Sequence, residues 1–261
     1  MGLPSKRVKQ TMRILPATLA VWPVASAHPL WLSLMVTLGF AAVARLVRGV
    51  TISGAIAGAV VAFLLYTCAG PGGFVVLVSV FVLAWVTTRL GYSRKERRGT
   101  AERKEGRNAF QVLANLGLVT LCAASFTFSG RRLFLAAATA ALAEAAADTV
   151  SSEFGQAATE KTLLITTLEP VPAGTDGGVS IPGTLAGLTA ALLIALIGAG
   201  VGLVSRRFSW ICSLAGVIGM LADSLLGASF ERDKMMTNNT VNFLSTGVAA
   251  VFGGLFFLLF V

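Results

Sequence analysis

Apolar residues run almost unbroken through nine stretches of the chain, at roughly 14–28, 31–47, 51–69, 73–90, 110–128, 132–147, 183–204, 209–227 and 242–260. Several are close to the roughly 20 residues that carry a helix across a bilayer. The pattern predicts an all-α, polytopic integral membrane helix bundle of about eight or nine transmembrane or partly re-entrant helices. The first run is short, contains Pro16 and Pro23 and ends in His28-Pro29, which leaves a re-entrant or interfacial segment as the alternative to a full crossing. The expected organisation is a single membrane domain over 1–261: scaffold helices in 1–90, polar motifs in 91–242, and a last helix in 243–261. The N-terminus, MGLPSKRVKQTMRILPA, is basic and interrupted by proline, so no cleavable signal or transit peptide is expected from it.

Composition agrees: 55% of residues are hydrophobic, 13% are charged, and the mean hydropathy is +0.79. A net charge of +9 raises nucleic acid as a partner, but the basic residues sit in loops between apolar runs. The positive-inside rule explains them more simply, and no nucleic-acid partner is expected. If the 91–109 loop is cytoplasmic, alternating crossings place 17 Lys and Arg on that side and only Arg131, Arg132, Arg206 and Arg207 opposite. In a prokaryote this would be a multi-pass protein of the cell membrane with its polar site on the cytoplasmic side. Cys68, Cys122 and Cys212 are far apart in apolar runs, so neither a zinc site nor a disulfide framework is indicated.

Three stretches break the hydrophobic pattern: GRNAFQVLAN at 106–115, ADTVSSEFG through TDGGVSIPG at 147–183, and LADSLLGASFERDKMMTNNTVN at 221–242. The alternation of crossings brings all three to one face. All 12 acidic residues fall between Glu96 and Asp233. Ala-Asp-Thr at 147–149 and Ala-Asp-Ser at 222–224 close two apolar runs, and acids there are costly unless they meet a polar cavity, a cation or a partner. Glu144, Asp148 and Ser152 share a helical face, as do Gly219, Asp223 and Gly227. Small neighbours let a backbone or a phosphate approach. Helix capping or pairing with arginines of the 94–107 loop would be the structural explanation of the aspartates. Two similar endings on one face favour a divalent metal, with Asp148, Glu153 and Asp223 as ligands. Mg²⁺ suits carboxylates, water and substrate phosphates. His28, the only histidine, lies in a Pro-flanked turn and is expected to be structural.

Thr175, Asp176, Gly177, Gly178 and Ser180 form a glycine-dense segment just before a helix, and such turns present backbone N–H groups to phosphate. A connector is the alternative, and no GxxxxGK[ST] motif occurs. The basic stretch 94–107 carries seven Lys or Arg and three Glu, and reads mainly as a solvated, topology-setting loop. Arg107 is followed by Asn108, Gln111 and Asn115 as a polar stripe entering the membrane. Asn238, Asn239 and Asn242 offer similar amides, with an interhelical hydrogen-bond network as the alternative role. The small-residue pairs in GAIAG (54–58) and GTLAG (183–187) are expected to pack helices closely. GAGVG at 198–202 lacks the strand context of a dinucleotide site.

GRNAFQVLAN, ADTVSSEFG, ITTLEPVPAGTDGGVSIPGTLAG, LADSLLGA and TNNTVNFLST resemble, in order, the motifs of the phytyl-phosphate kinase family of vitamin E biosynthesis and its transmembrane relatives. The resemblance spans roughly 105–250, and residues 1–90 add only hydrophobic agreement. It implies transfer of a phosphoryl group from a nucleoside triphosphate, CTP favoured, to an isoprenoid monophosphate such as phytyl or geranylgeranyl phosphate. On the matching positions it implies Asp148, Asp223 and Arg107 as catalytic residues and Asp148, Glu153 and Asp223 as Mg²⁺ ligands. Asn108, Gln111, Asn115, Ser152, Thr175, Asp176, Gly177, Gly178, Ser180, Asn239 and Asn242 then form the substrate and nucleotide site. Membrane lipids are the expected surroundings, and a homodimer is left open. A CTP-using lipid cytidylyltransferase is one alternative. A transporter, suggested by Glu144 within the membrane and a hint of internal repetition, is the other.

Overall fold

A computed structural model of the protein describes residues 29–260. The run at 14–28 and His28 lie outside the described residues. The chain forms α1 (Leu30–Leu46), α2 (Ile52–Arg89), the short α3 (Tyr92–Arg98), α4 (Ala109–Ser129), α5 (Leu133–Ala158), α6 (Ile181–Gly200), α7 (Arg206–Leu226) and α8 (Asn238–Phe260). Six of these, α2 and α4 to α8, are long and apolar enough to cross a membrane.

α2 is two passes, because Gly70 leaves the helical region at φ 74° and Pro71 has no N–H to continue the ladder. Its second arm returns to where the first began. Trp85 Nε1 donates to the Val47 carbonyl at 3.1 Å, and Arg89 donates to the same oxygen. With α1, this makes eight apolar helical segments among the described residues, in line with the hydrophobic pattern.

α5 is the axis of the bundle and packs against α6, α7, α8, α4 and α2. Its sequence LFLAAATAALAEAAADTVSSEFGQAA explains the position, since a run of alanines buries its full circumference without holding neighbours apart. Ala140, Ala141, Ala143, Ala146 and Ala147 are fully buried. Glycines on the partner helices complete the fit: a β-carbon at Gly183 would lie 2.6 Å from the Ser151 carbonyl oxygen, and one at Gly187 would lie 2.9 Å from that of Ala147. The GTLAG pair therefore packs α6 onto α5 as its spacing suggests. The GAIAG pair does not behave this way. Gly54 abuts the Arg107 carbonyl, and nothing lies within 4 Å of a β-carbon built on Gly58.

Successive passes leave 47–51, 90–108, 159–180 and 227–237 at one end of the bundle. There Arg107 N–H donates to Gly49 O at 3.1 Å and Thr51 N–H to Arg107 O at 2.9 Å. Between α5 and α6 the chain adds a small antiparallel sheet, β1 (Thr162–Leu164), β2 (Pro170–Val171) and β3 (Gly178–Val179), in the order β2-β1-β3. This sheet is an addition to the expected all-helical pattern. α7 runs into a π-helical turn, Gly227–Glu231, and α8 begins a few residues earlier than the hydrophobic run suggests.

Candidate active site

Asp148 near the end of α5 and Asp223 near the end of α7 face each other, and their carboxyl groups are close enough to interact directly. Both line a polar cleft of about 200 Å³ together with Ser152, Thr175, Asp176, Gly177, Gly178 and Ser180. Its remaining wall includes Ser224, Glu231 and Asn238. Side chains from two of the three polar stretches, 147–183 and 221–242, line the cleft, while Arg107 and Asn115 of the third stand behind it, on Thr149 and Asn242.

The glycine segment forms the roof. Gly177 has φ 73°, and a β-carbon there would lie 2.5 Å from the Ala228 nitrogen and 2.6 Å from its Cα, so the segment rests directly on the π-helical turn after Asp223. π turns recur where a helix is bent around a site. The N–H of Gly178 is taken by the Thr175 carbonyl at 2.8 Å, and Ile165 N–H donates to Gly177 O at 3.0 Å. These glycines therefore serve close packing of the roof, and the Gly178 N–H is not free for phosphate. Ser180 caps α6 by accepting from Gly183 N–H at 3.2 Å, and Ser152 donates to Thr149 O at 3.2 Å. Burial pushes the Asp176 carboxyl above its ordinary range, and the Arg232 charge partly opposes this.

A second network runs behind Asp223. Ser245 Oγ lies 2.8 Å from Glu144 Oε1 and 3.0 Å from Asp223 Oδ2, and Thr246 Oγ1 donates to Glu144 Oε2 at 2.9 Å. Oriented to satisfy its neighbours, the Asn242 amide donates to Asp223 Oδ2 at 3.2 Å and accepts from Asn115 Nδ2 at 3.1 Å. Asn115 and Asn242 thus hold Asp223 from α4 and α8 as an interhelical network. Gly219 makes room for Glu144, since a β-carbon there would press on the Glu144 side chain.

Three expected site residues take other roles. Glu153 is not beside Asp148 and Asp223 in the cleft: the fully buried Lys95 binds it at 2.5 Å, and Thr88 Oγ1 donates to it at 3.0 Å. Its charge is already matched, so it is corrected from metal ligand to structural ion pair. Asn108 and Gln111 form a reciprocal capping box at the start of α4, at 3.1 and 2.9 Å. Gln111 also donates to Glu102 at 3.0 Å. Asn239 is absent from the cleft lining, where Asn238 stands instead.

The basic loop is more ordered in its work than a solvated segment. Arg94 donates to Ala157 O at 2.6 Å, Arg98 donates to Gln156 O at 3.1 Å and pairs with Glu160, and so cations cover the carbonyl end of α5. Arg107 differs. Its guanidinium reaches Thr149 Oγ1 at 3.4 Å and its charge acts on Asp148.

Arg107 also borders a larger, mainly apolar cavity of about 450 Å³ between α1, both arms of α2, and α4. Gly58, Phe81, Trp85 and Leu116 lie on its wall, and Arg48, Arg89, Arg103 and Lys104 join Arg107 on its lining. Nothing in the sequence of 1–90 distinguished these residues from scaffold. The one available signal was a basic residue, Arg48, in the turn next to Gly49.

Among the described residues, no three His, Cys, Asp or Glu side chains form a ready-made metal cage. Two facing carboxylates still fit a hard cation that takes its remaining ligands from water and substrate phosphate. Opposed carboxylates at the membrane edge are costly unless a cation, a shared proton or a basic side chain such as Arg107 offsets them.

The sequence profile of the family described as integral membrane protein DUF92 matches residues 35–250. The chain is 36% identical to uncharacterized membrane protein sll0875 of Synechocystis, over 73% of this chain and 76% of that protein. It is 31% identical to Protein VTE6, chloroplastic, of Arabidopsis thaliana, over 93% of this chain and 74% of that protein. It is 35% identical to uncharacterized membrane protein MJ0933 of Methanocaldococcus jannaschii, over 87% of this chain and 94% of that protein. No solved structure matches it significantly. With most of its length covered by the family profile and by these relatives, the chain belongs to the DUF92 family of integral membrane proteins.

Proposed function

We propose that the protein is a Mg²⁺-dependent membrane kinase that transfers a phosphoryl group from a nucleoside triphosphate, CTP favoured, to an isoprenoid monophosphate. The observation that carries this reading is the facing of Asp148 and Asp223, from two different helices, on one polar cleft at the end of the bundle. The ordered motifs that resemble the phytyl-phosphate kinase family support it. The relatives from Synechocystis and Methanocaldococcus jannaschii are membrane proteins, which agrees with a site at the bilayer edge.

Asp148 and Asp223 would hold the metal, which when bound neutralises phosphate oxygens and so assists phosphoryl transfer. Arg107, on the wall shared with the apolar cavity, orients the acceptor phosphate. The acceptor oxygen forms a bond to the terminal phosphorus, the bond from that phosphorus to the bridging oxygen breaks, and nucleoside diphosphate leaves. The acceptor is already an anion near neutral pH, so no histidine base is required. Positioning and charge neutralisation account for most catalysis of this type. The cleft takes phosphate groups and water, and the nucleoside lies at its mouth, beneath the Gly177 roof. In a prokaryote the site would face the cytoplasm.

The intramembrane Glu144, which suggested a transporter, is held by Ser245 and Thr246. It is therefore part of the support behind Asp223. The test is incubation of the purified protein in detergent with Mg²⁺, each nucleoside triphosphate and a panel of prenyl monophosphates, with products identified by mass spectrometry. Nucleoside diphosphate and prenyl diphosphate are expected. Pyrophosphate release would replace the kinase with a cytidylyltransferase, and no nucleotide turnover with any acceptor would overturn both.

A further inference from the structure

The cavity between α1, α2 and α4 has an unusual division of chemistry. Its wall is mainly apolar, whereas one end carries Arg48, Arg89, Arg103, Lys104 and Arg107 against a single carboxylate, Glu102. Lys104 pairs with Glu96 at 2.7 Å, and Glu102 is engaged by Gln111 at 3.0 Å. None of Arg48, Arg89, Arg103 and Arg107 has an ion-pair partner among the described residues. Arg89 lies over the Trp85 ring at 4.7 Å, which fixes it at the rim. Arg48 has φ 55°, a conformation that costs a non-glycine residue energy and that points to a constraint at this turn.

Four guanidinium groups without ion-pair partners, of which only Arg107 acts on a carboxylate beyond the cavity, complement a molecule that is anionic at one end and apolar along the rest. We infer that this cavity is the acceptor-lipid site. A single-chain prenyl monophosphate drawn from the bilayer lies with its tail along Gly58, Phe81 and Leu116 and its phosphate among Arg48, Arg89, Arg103 and Arg107. The assignment rests on the phosphoryl-transfer reading for the reaction that the lipid undergoes, but on the cavity alone for its binding. A volume of about 450 Å³ is on the scale of a single small ligand, which matches one prenyl chain. Gly58 is the specific feature of the tail wall: an open glycine leaves space that any side chain would fill.

Arg107 joins the two sites. It borders the lipid cavity while reaching Thr149, the residue after Asp148. A phosphate bound to it therefore sits next to the cleft that takes the nucleotide phosphates.

The experiment uses the full chain in detergent and geranylgeranyl monophosphate carrying a diazirine on its tail. Adducts are expected on residues 40–58, 77–89 and 112–116. The matching prenyl alcohol should label these positions at least about tenfold less, the scale of a lost charge-assisted hydrogen bond. Unlabelled geranylgeranyl monophosphate should compete, and phosphatidate should not. Gly58→Phe, which fills the tail wall without touching the cation rim, and Arg48→Gln should each weaken labelling and raise the KM for the prenyl phosphate by about tenfold or more, leaving the nucleotide KM unchanged. Adducts spread over the lipid-facing helices, or full competition by phosphatidate, overturn the assignment, as do unchanged labelling and lipid KM in both variants. If labelling follows the expected pattern while no nucleotide yields prenyl diphosphate, the lipid site stands and the kinase reading falls. If diphosphate forms while the two variants bind lipid normally, the kinase stands and the lipid lies elsewhere.

Discussion

Glu144 and Asp223 meet on one hydroxyl, with Ser245 Oγ 2.8 Å from Glu144 Oε1 and 3.0 Å from Asp223 Oδ2. A serine hydroxyl has one proton to donate, yet the Asn242 carbonyl at 3.0 Å is a third acceptor around it. Donors are scarce at this point of the membrane, and Ser245 orients both carboxyl groups at once. Ser245→Ala removes that link and leaves buried oxygens short of a partner, a loss of about 1–3 kcal/mol. The melting temperature should fall, and kcat should fall about tenfold in the molecules that remain folded as Asp223 loses its orientation. A lower melting temperature with wild-type kcat would make the network structural only.

Asp148 and Asp223, unlike Ser245, are expected to affect turnover without lowering stability. Asp148→Asn and Asp223→Asn keep the size and part of the hydrogen bonding but delete the charge. Turnover should drop by at least about 10²-fold, as for loss of a transition-state electrostatic contact. Stability in the absence of Mg²⁺ should hold or rise, because two opposed carboxylates no longer repel. Retained prenyl-phosphate phosphorylation with unchanged Mg²⁺ dependence would reassign the pair to helix capping.

Glu153 provides the contrast. Its partner Lys95 is fully buried, and removing one member of a buried pair costs about 3–5 kcal/mol. Glu153→Ala should therefore unfold at markedly lower temperature while its folded fraction keeps the Mg²⁺ dependence of the parent. Adding Lys95→Met should restore much of the loss. A shifted Mg²⁺ requirement at normal stability would return Glu153 to the metal site.

The convergence on the cleft was legible because it follows from two simple regularities. Helical spacing put Asp148 and Ser152 on one face, and alternating passes put 147–183 and 221–242 at one end. Glu153 was not legible: its sequence neighbourhood is that of Asp148, and only the fold brings Lys95 to it. The cavity lined by residues of 1–90 was not legible for a related reason. Leu and Val facing lipid cannot be distinguished by composition from Phe81 or Leu116 facing an internal cavity, and Gly58 in GAIAG has the same spacing as a packing glycine although no helix touches it. The three-stranded sheet is built of segments two or three residues long, too short to show a period. The break between the arms of α2 was legible, since Gly70-Pro71 interrupts the apolar run where the helix reverses.

Orientation in the membrane can be checked independently of activity. The basic loops at 90–108 and the segments 159–180 and 227–237 share one end of the bundle, and the positive-inside rule assigns that end to the cytoplasm. Single cysteines at Gly99, Thr159 and Lys234, in a background lacking the native three, should react with an impermeant maleimide only in inside-out vesicles. Reaction in right-side-out vesicles would reverse the assignment for all three together.

The last prediction concerns the roof of the cleft. Gly177 holds φ 73°, where an L side chain is strained, and its missing β-carbon lets the segment rest on Ala228. Alanine in the left-handed region costs roughly 1–2 kcal/mol, and here the added methyl also meets backbone atoms that cannot rotate away. Gly177→Ala should therefore lift 170–180 off the π-helical turn. The membrane helices, packed around α5 well away from this contact, should keep their melting transition. Limited proteolysis should cut the segment several-fold faster, and the nucleotide KM should rise because the roof no longer closes over Asp148 and Asp223. Gly178→Ala, whose β-carbon would meet the Thr162 methyl and the Thr175 carbonyl at 2.8 Å, should disturb the small sheet and have a weaker effect on nucleotide use. If both variants keep the parental protease pattern and nucleotide KM, the segment is a connector and the cleft is formed without it.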